Sequence, residues 1–228
     1  MSDLDTLVKS SKIGWLGDWG GSLPYEDGVL SHCKRSLDLF SSEGDGNIVC
    51  ISTAPFPSDQ LWNAWMTIRS SHIWKTLLEQ IGCDESELIS TLKARGVKSE
   101  AVWECELGIT KTLQDLEHAK QIVEDWVLCS DELFNTYDFL ALPSSQVYPF
   151  DAGIDWPKTI GNKKMNEYHR WMEVMCPVTL LGTPCVTLPA ALDTTSERMI
   201  GIQVFAQAGK DASLLSLARW YHENQRCV

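Results

Sequence analysis

Serine and lysine side chains occur close together near the start of the sequence, and such groups can hydrolyse amide bonds when they meet in space. A serine nucleophile needs a base that accepts its proton and backbone N–H groups that hold the oxyanion. Residues 9–12 read Lys-Ser-Ser-Lys. Neighbours along a chain do not form such a proton relay, and no glycine-rich loop lies beside them. We therefore expect a solvated terminus here rather than a catalytic site.

Other serines resemble a nucleophile only in part. Residues 20–22 read Gly-Gly-Ser but continue as Leu-Pro-Tyr-Glu-Asp, where further serine and glycine would be needed to expose N–H groups. A turn between a strand and a helix is the favoured interpretation. The serine pairs at 41–42, 70–71 and 144–145 also lack glycine neighbours. A Ser-His-Asp triad stays open as an alternative, without a Gly-x-Ser-x-Gly elbow to support it. The sequence thus assigns no catalytic residue.

Histidine and cysteine spacing does not predict a metal site. The five histidines show no His-Glu-x-x-His spacing, and the eight cysteines contain no Cys-x-x-Cys pair. The cysteines lie mostly in apolar contexts, which is typical of reduced, buried thiols in an intracellular protein. We expect no metal, no cofactor and a cytoplasmic location.

Composition limits the class of partner. The 228 residues are 44% hydrophobic and include ten tryptophans, enough to bury a substantial core. A formal net charge of −12 repels phosphate backbones and anionic membrane surfaces, so we expect no nucleic-acid and no membrane partner. Residues 174–192 are uncharged, but prolines and a glycine interrupt them, and the first residues lack the features of a secretory leader.

The periodicity of apolar residues predicts alternating strands and helices. Strands are predicted at 12–17, 47–52, 138–143, 185–188 and 199–205. Helices are predicted at 29–40, from an N-cap at Ser58 to Gly82, from a capping box at Asp84 to Gly96, at 99–133 with a bend or split at Gly108, at 162–181 with an interruption near Pro177, and from a cap at Asp211. This alternation indicates a layered α/β protein.

Three motifs in order make the pattern specific. Residues 137–144 resemble the strand Asp-x-Leu-Leu-x-Pro-Thr of the amidase-signature family, and residues 168–189 resemble that family's helix followed by Gly-x-Pro-x-x-x-x-Pro. Residues 200–215 resemble its ending, Gly-x-Gln-x-x-Gly-x-x-x-x-Asp-x-x-Leu-Leu. The chain departs from the pattern at Ala206, where glycine is usual, and at 191–194. It looks like the C-terminal half of an amidase-signature hydrolase.

This resemblance implies a layered α/β/α fold with a mixed sheet in a single partial domain. Its parts would be a strand-loop-helix-strand region at 12–57, a helical region at 58–134 and a sheet-completing part at 135–228. Family members cut C–N bonds of linear amides with a serine nucleophile, a second serine on a cis peptide bond and a lysine base. Those residues belong to the family's N-terminal half, so we expect this chain to lack them and to be inactive alone.

Two further interpretations stay open. The chain could be a non-catalytic interaction protein that reuses the half-fold, with self-association or a partner chain over an exposed seam. It could also be an independent hydrolase with a newly assembled triad.

The resemblance also indicates where an amide substrate would bind if an N-terminal half completed the site. The loop 144–158 is rich in aromatic residues, and we predict Tyr148, Trp156 and, on the following helix, Trp171 as substrate-binding residues. The alternatives are aromatic packing over the sheet edge for the loop and a core position for Trp171.

Overall fold

The structure is a computed structural model that describes residues 3–41, 47–190 and 198–225. The chain divides into two compact units, one formed by Met1–Ser58 with Val127–Val228 and the other by Asp59–Trp126. The family departure at 191–194 lies outside the described residues. The predicted single-domain organisation stays a prediction.

Seven strands and eight α-helices have the following bounds in the part of the chain that the structure describes. The strands are β1 Ile13–Trp15, β2 Ile48–Cys50, β3 Phe139–Pro143, β4 Thr159–Ile160, β5 Lys163–Lys164, β6 Cys185–Pro189 and β7 Gly201–Phe205. The helices are α1 Asp3–Ser10, α2 Val29–Leu37, α3 Ser58–Ile81, α4 Glu85–Ala94, α5 Ser99–Ile109, α6 Leu113–Phe134, α7 Cys176–Leu181 and α8 Asp211–Asn224. Two 3₁₀ helices cover Asp38–Phe40 and Tyr168–Met175.

The first unit is built on a five-stranded mixed sheet with the order β2-β1-β3-β7-β6. Strand β1 runs parallel to β2 and β3, whereas β7 runs antiparallel to β3 and β6. The mixed α/β fold is therefore confirmed. The register pairs Pro143, the last residue of β3, with Ile202 near the start of β7. This pairing brings the loop after β3 next to the segment before β7.

Alternating side chains of the central strands fill the core of this unit. Phe139 and Ala141 of β3, with Ile202 and Val204 of β7, join a buried cluster that also includes residues of α2 and α8. On the intervening positions Phe205 packs edge-on against Phe134, with ring centroids 6.2 Å apart. All five residues of β3 are buried, as expected for a strand covered on both faces.

The second unit is helical and packs around Leu88, Leu92, Val102 and Cys105. The segment 99–133, predicted as one helix, contains two helices, because α5 ends at Ile109 and α6 begins at Leu113. Thr112 and Asp115 form the new start: the Thr112 amide donates to Asp115 Oδ2 at 2.8 Å, and the Asp115 amide donates to Thr112 Oγ1 at 3.1 Å.

Three sequence predictions about helix starts are wrong. Residues 162–167 are not helical, because Gly161 adopts φ 53° and a two-residue turn pairs Ile160 with Lys163 in a small hairpin. The side chain of Asp84 makes no capping hydrogen bond; the Glu87 amide donates instead to the Asp84 backbone carbonyl at 2.9 Å. The final helix begins at Asp211, with Lys210 rather than Asp211 in the capping position.

Among the residues that the structure describes, no helix is both long and apolar enough to cross a membrane.

Candidate functional site

The loop after β3 is anchored where the chain leaves the sheet. The Ser144 amide donates to the Gly201 carbonyl at 2.8 Å, which extends the β3–β7 pairing by one bond. Gln146 is fully buried: its Nε2 donates to the Pro24 carbonyl at 3.0 Å, and its Oε1 accepts from the Val174 amide at 3.2 Å. These bonds replace sheet pairing, so the loop keeps a defined path beyond the strand.

A pocket of about 410 Å³ lies beside this anchored loop. Three segments form its walls: residues 144, 145 and 147–150 of the loop, Trp171 of the 3₁₀ helix, and residues 199–201 before and at the start of β7. None of these residues carries a formal charge, and most of the wall is apolar. A concave apolar site with a few polar groups is the usual form of a small-molecule site.

Tyr148 forms a rigid wall of this pocket. It is 2% exposed, its hydroxyl lies 3.2 Å from His32 Nδ1, and its amide donates to Glu26 Oε2 at 3.1 Å. The Arg198 guanidinium lies 4.2 Å from the Tyr148 ring centroid, and its Nη1 contacts Glu26 Oε1 at 2.7 Å. Arg198 and Glu26 thus hold the ring from one side while His32 holds its hydroxyl.

The other two predicted binding residues occupy different places. Trp171 lines the pocket and meets the Phe150 ring edge-on, with centroids 5.4 Å apart. Trp156 is not among the residues that line the pocket; it packs against a buried cluster that includes Ile160 and carries Lys158 Nζ 3.4 Å above its ring. The structure therefore brings Tyr148 and Trp171 together and leaves Trp156 outside the pocket wall.

A buried acid lies on the same 3₁₀ helix as Trp171. Glu173 is 4% exposed and contacts Arg170 Nη1 through Oε1 at 2.8 Å. Burial raises the pKa of Glu173 above its ordinary value, and the nearby Arg170 cation offsets only part of that effect. Burial also raises the pKa of the Cys33 thiol to about 12, so this thiol does not act as a nucleophile at neutral pH.

Two of the serines considered as nucleophiles bond to a carbonyl of helix α1, and the lysine beside a third contacts its backbone. Ser10 and Ser11 both donate to the Leu7 carbonyl, at 3.1 and 2.7 Å, as hydroxyls at a helix end do. Residues 20–22 form a tight turn in which Gly20 and Gly21 adopt φ 64° and 81°. Lys163 Nζ donates to the backbone carbonyl of Ser22 at 3.3 Å, not to its hydroxyl.

Several pocket residues escaped sequence reasoning. Ser144 was visible only as part of a serine pair, and Gly201 only as part of the terminal motif of 200–215. Met199 was visible only as the first residue of the predicted strand 199–205, because its place beside the loop depends on the pairing of β3 with β7. Arg198, which contacts Tyr148 but does not line the pocket, gave no signal. Within the described ranges no group of three or more His, Cys, Asp or Glu side chains is arranged to hold a metal ion.

Comparison with known families agrees with this architecture. Residues 26–215 match the family model described as Amidase, which is most of the chain. The chain therefore belongs to the amidase family, whose motifs the sequence resembles.

Similar proteins support the same assignment. A stretch of 91 residues, 39% of this chain, is 33% identical to a glutamyl-tRNA(Gln) amidotransferase subunit from Borreliella afzelii (strain PKo), where it covers 17% of that protein. A bacterial aryl acylamidase of the amidase-signature enzymes superposes with a TM-score of 0.76 at 14% identity, over 98% of this chain and 46% of that one. A protein of a vestigial complex related to the origins of an s-triazine catabolic enzyme gives 0.75 at 15% identity, over 96% and 44%. The chain thus spans less than half of the length of these solved structures.

Proposed function

We propose that the protein is an amidase-like C–N hydrolase of linear amides, and that this chain holds the acyl or amine part of the substrate. The observation that carries the proposal is the uncharged pocket formed by Tyr148, Trp171 and residues 199–201 in a chain of the amidase family. A neutral amide enters such a pocket at a lower desolvation cost than a charged group, because no residue that lines the pocket carries a charge to pair with it. Trp156 belongs to the proposal as a residue that supports the loop.

As part of this proposal, the 228-residue chain does not hydrolyse substrate on its own. Its support is the placement of hydroxyls and lysines: Lys12 Nζ lies over the Tyr137 ring at 5.0 Å, and Lys163 contacts a backbone carbonyl. A lysine base has to contact the serine relay that it deprotonates. The seven described cysteines form no disulfide with one another, which supports a cytoplasmic location.

Binding and turnover test different parts of the proposal. Ligand-observed NMR with benzamide should show binding to the 228-residue chain, and Met199→Asp should weaken it about tenfold or more, because the new carboxylate lies at the pocket wall. Leu215→Asp is the matched control, since Leu215 is 62% exposed on α8 and does not line the pocket. Equal effects of the two substitutions would contradict the pocket assignment.

Turnover is measured with acetanilide and acetamide as substrates. We expect no release of aniline or ammonia from the purified chain. Release from the purified chain would contradict the proposed inactivity, and release that Ser22→Ala or a variant of a serine pair abolishes would favour an independent hydrolase.

A non-catalytic interaction protein is the second candidate. It is favoured by strand β6, which ends the sheet and pairs with β7 on one side only among the described strands. Cys185, Thr187 and Pro189 of this strand are exposed. Edge strands with free backbone groups recruit a second strand, from another copy or from a partner chain.

A further inference from the structure

The hydroxyl of Ser144 differs from the other polar groups of the pocket wall. Ser145 Oγ already accepts from the Val147 amide at 3.2 Å, and the Tyr148 hydroxyl lies 3.2 Å from His32 Nδ1. The Trp171 indole N–H lacks an acceptor, but this atom is buried away from solvent. Ser144 Oγ has no hydrogen-bond partner among the residues that the structure describes, and its residue lines the pocket.

The Ser144 hydroxyl lies beside Gly201, which has no side chain to cover it. A Cβ atom placed on Gly201 would lie 2.5 Å from Ser144 Oγ and 2.9 Å from Thr187 Cγ2, so no larger residue fits without movement. The 2.8 Å bond from the Ser144 amide to the Gly201 carbonyl fixes the two backbones relative to each other. The hydroxyl therefore has a defined position at the pocket wall, where it occupies the space that a Gly201 side chain would need.

The surroundings of the hydroxyl are apolar. Tyr148, Phe150 and Trp171 present rings, and Met199 presents a thioether that packs well against an aromatic ligand. A serine hydroxyl can donate one hydrogen bond and accept others, so it matches either an acceptor or a donor of a ligand. Once a ligand excludes water, a hydroxyl left without a partner lowers affinity, and this effect discriminates strongly between ligands.

We propose that Ser144 is a specificity-determining residue, and that this pocket takes an uncharged aromatic group that carries one hydrogen-bonding oxygen or nitrogen close to the ring. Neutral aryl amides and aryl carbinols belong to this class. Aryl carboxylates and purely hydrocarbon groups of the same shape do not. This inference rests on the proposed function, because it names the ligand class of the same pocket.

Matched probes test the inference in the full 228-residue chain. Benzyl alcohol and ethylbenzene have the same shape and differ in one hydroxyl, and benzoate adds a negative charge. Dissociation constants from ligand-observed NMR should favour benzyl alcohol over ethylbenzene by about tenfold, as one hydrogen bond to an otherwise unpaired hydroxyl implies. Benzoate should bind at least tenfold more weakly than benzyl alcohol.

Substitution of the serines assigns the preference to one hydroxyl. Ser144→Ala should bring the ratio between benzyl alcohol and ethylbenzene to one or below, because ethylbenzene no longer leaves a serine hydroxyl unpaired and the hydroxyl of benzyl alcohol loses its partner. Ser216→Ala is the matched control and should keep the tenfold ratio, since its hydroxyl donates to the Ala212 carbonyl on α8 and the residue does not line the pocket. Thermal melts without ligand verify that both variants fold, and the ratio within one variant is independent of the amount of folded protein.

The outcomes separate this inference from the proposed function. Binding that responds to Met199→Asp but keeps its ratio in Ser144→Ala overturns the role of Ser144 and leaves the pocket in place. Benzoate that binds as tightly as benzyl alcohol overturns the ligand class. Probes that do not bind, or that bind equally well to Met199→Asp, overturn the pocket and with it both proposals.

Discussion

At the scale of single residues, the Arg198–Glu26 ion pair links the two sides of the pocket. Arg198 precedes the wall residues 199–201, and Glu26 accepts from the amide of the wall residue Tyr148. Both partners are about 40% exposed, at 44% and 39%, so the pair adds little to folding stability, in the range of roughly 0–1 kcal/mol. The ion pair should instead affect how Tyr148 and residues 199–201 are positioned around the pocket.

We predict that Arg198→Ala weakens benzyl alcohol binding about three- to tenfold while the melting temperature changes little. The physical reason is that the Tyr148 ring loses its cation partner and the segment before β7 loses its tie to Glu26. NMR titration and thermal melts measure the two effects. The control is Arg219→Ala, which breaks an exposed pair with Glu223 on α8 and should leave binding unchanged. A large loss of stability without loss of affinity would contradict the prediction.

Glu173 should make stability depend on pH in a specific direction. Its pKa in the folded protein is raised above the ordinary value of 4.5, so the folded state holds the proton more tightly than the unfolded state. Stability is therefore lost as pH rises through 4.5 toward the raised pKa. In Glu173→Gln the side chain is neutral at every pH, so we expect the variant to gain stability relative to wild type as pH rises above 4.5.

Asp115 supplies an internal comparison with the opposite sign. Hydrogen bonds from the backbone and side chain of Thr112 lower the pKa of Asp115 below 3.8, so its contribution is present above that pH and lost as pH falls. Asp115→Asn should therefore lose stability relative to wild type as pH rises through 3.8. Urea unfolding at several pH values measures both variants, and equal trends would contradict the two assignments.

At the scale of elements, Gly108 shows how a glycine can serve packing instead of bending. Helix α5 continues through Gly108 to Ile109, although the sequence predicts a bend or split at the glycine. A Cβ atom here would lie 2.2 Å from the Ser70 carbonyl oxygen and 2.3 Å from Trp74 Cδ1. The missing side chain lets α5 approach α3 within the helical unit.

We predict that Gly108→Ala destabilises the protein by about 2–3 kcal/mol, although alanine favours a helix by about 1 kcal/mol. The backbone carbonyl of Ser70 cannot move aside as a flexible side chain would. Gly82→Ala is the comparison, because a Cβ there meets nothing within 4 Å and the cost of its φ of 67° is about 1–2 kcal/mol. Urea unfolding midpoints measure both. A stabilised Gly108→Ala would contradict the close approach.

The elements also show what the sequence could and could not predict. Strand β3 was predictable because a run of apolar residues ends at Pro143, and both signals are local. The hairpin of β4 and β5 was not, because two-residue strands carry no periodicity and Gly161 sits beside a pattern that also fits a helix. The turn at Gly161 makes this segment a hairpin rather than a helix.

The pocket also has features that the sequence predicted and features that it did not. The aromatic loop and the family resemblance named Tyr148 and Trp171, which line the pocket, and also Trp156, which does not. They did not reveal that Ser144 meets Gly201, since this contact arises from the antiparallel register of β3 with β7. Contacts between strands distant in sequence depend on tertiary pairing, and a single sequence does not encode that pairing in its local periodicity.

At the scale of the whole molecule, two forces on self-association oppose each other. The net charge of −12 makes copies of the chain repel one another. The edge strand β6, with Thr187 exposed at its centre, offers backbone groups that a second copy can pair with. Salt screens the repulsion over about 8 Å at physiological ionic strength but leaves backbone hydrogen bonds largely unaffected.

We therefore predict that association through β6 strengthens with salt. Light scattering should show a mean mass that rises with protein concentration, and more steeply at about 0.5 M NaCl than at about 0.05 M. Thr187→Lys should reduce the rise, because two lysines would face each other across a paired edge. Gln121→Lys makes the same change of charge at an exposed position of α6 and should not. A constant monomer mass at every salt and protein concentration would remove the support for the interaction-protein candidate and leave the hydrolase proposal alone.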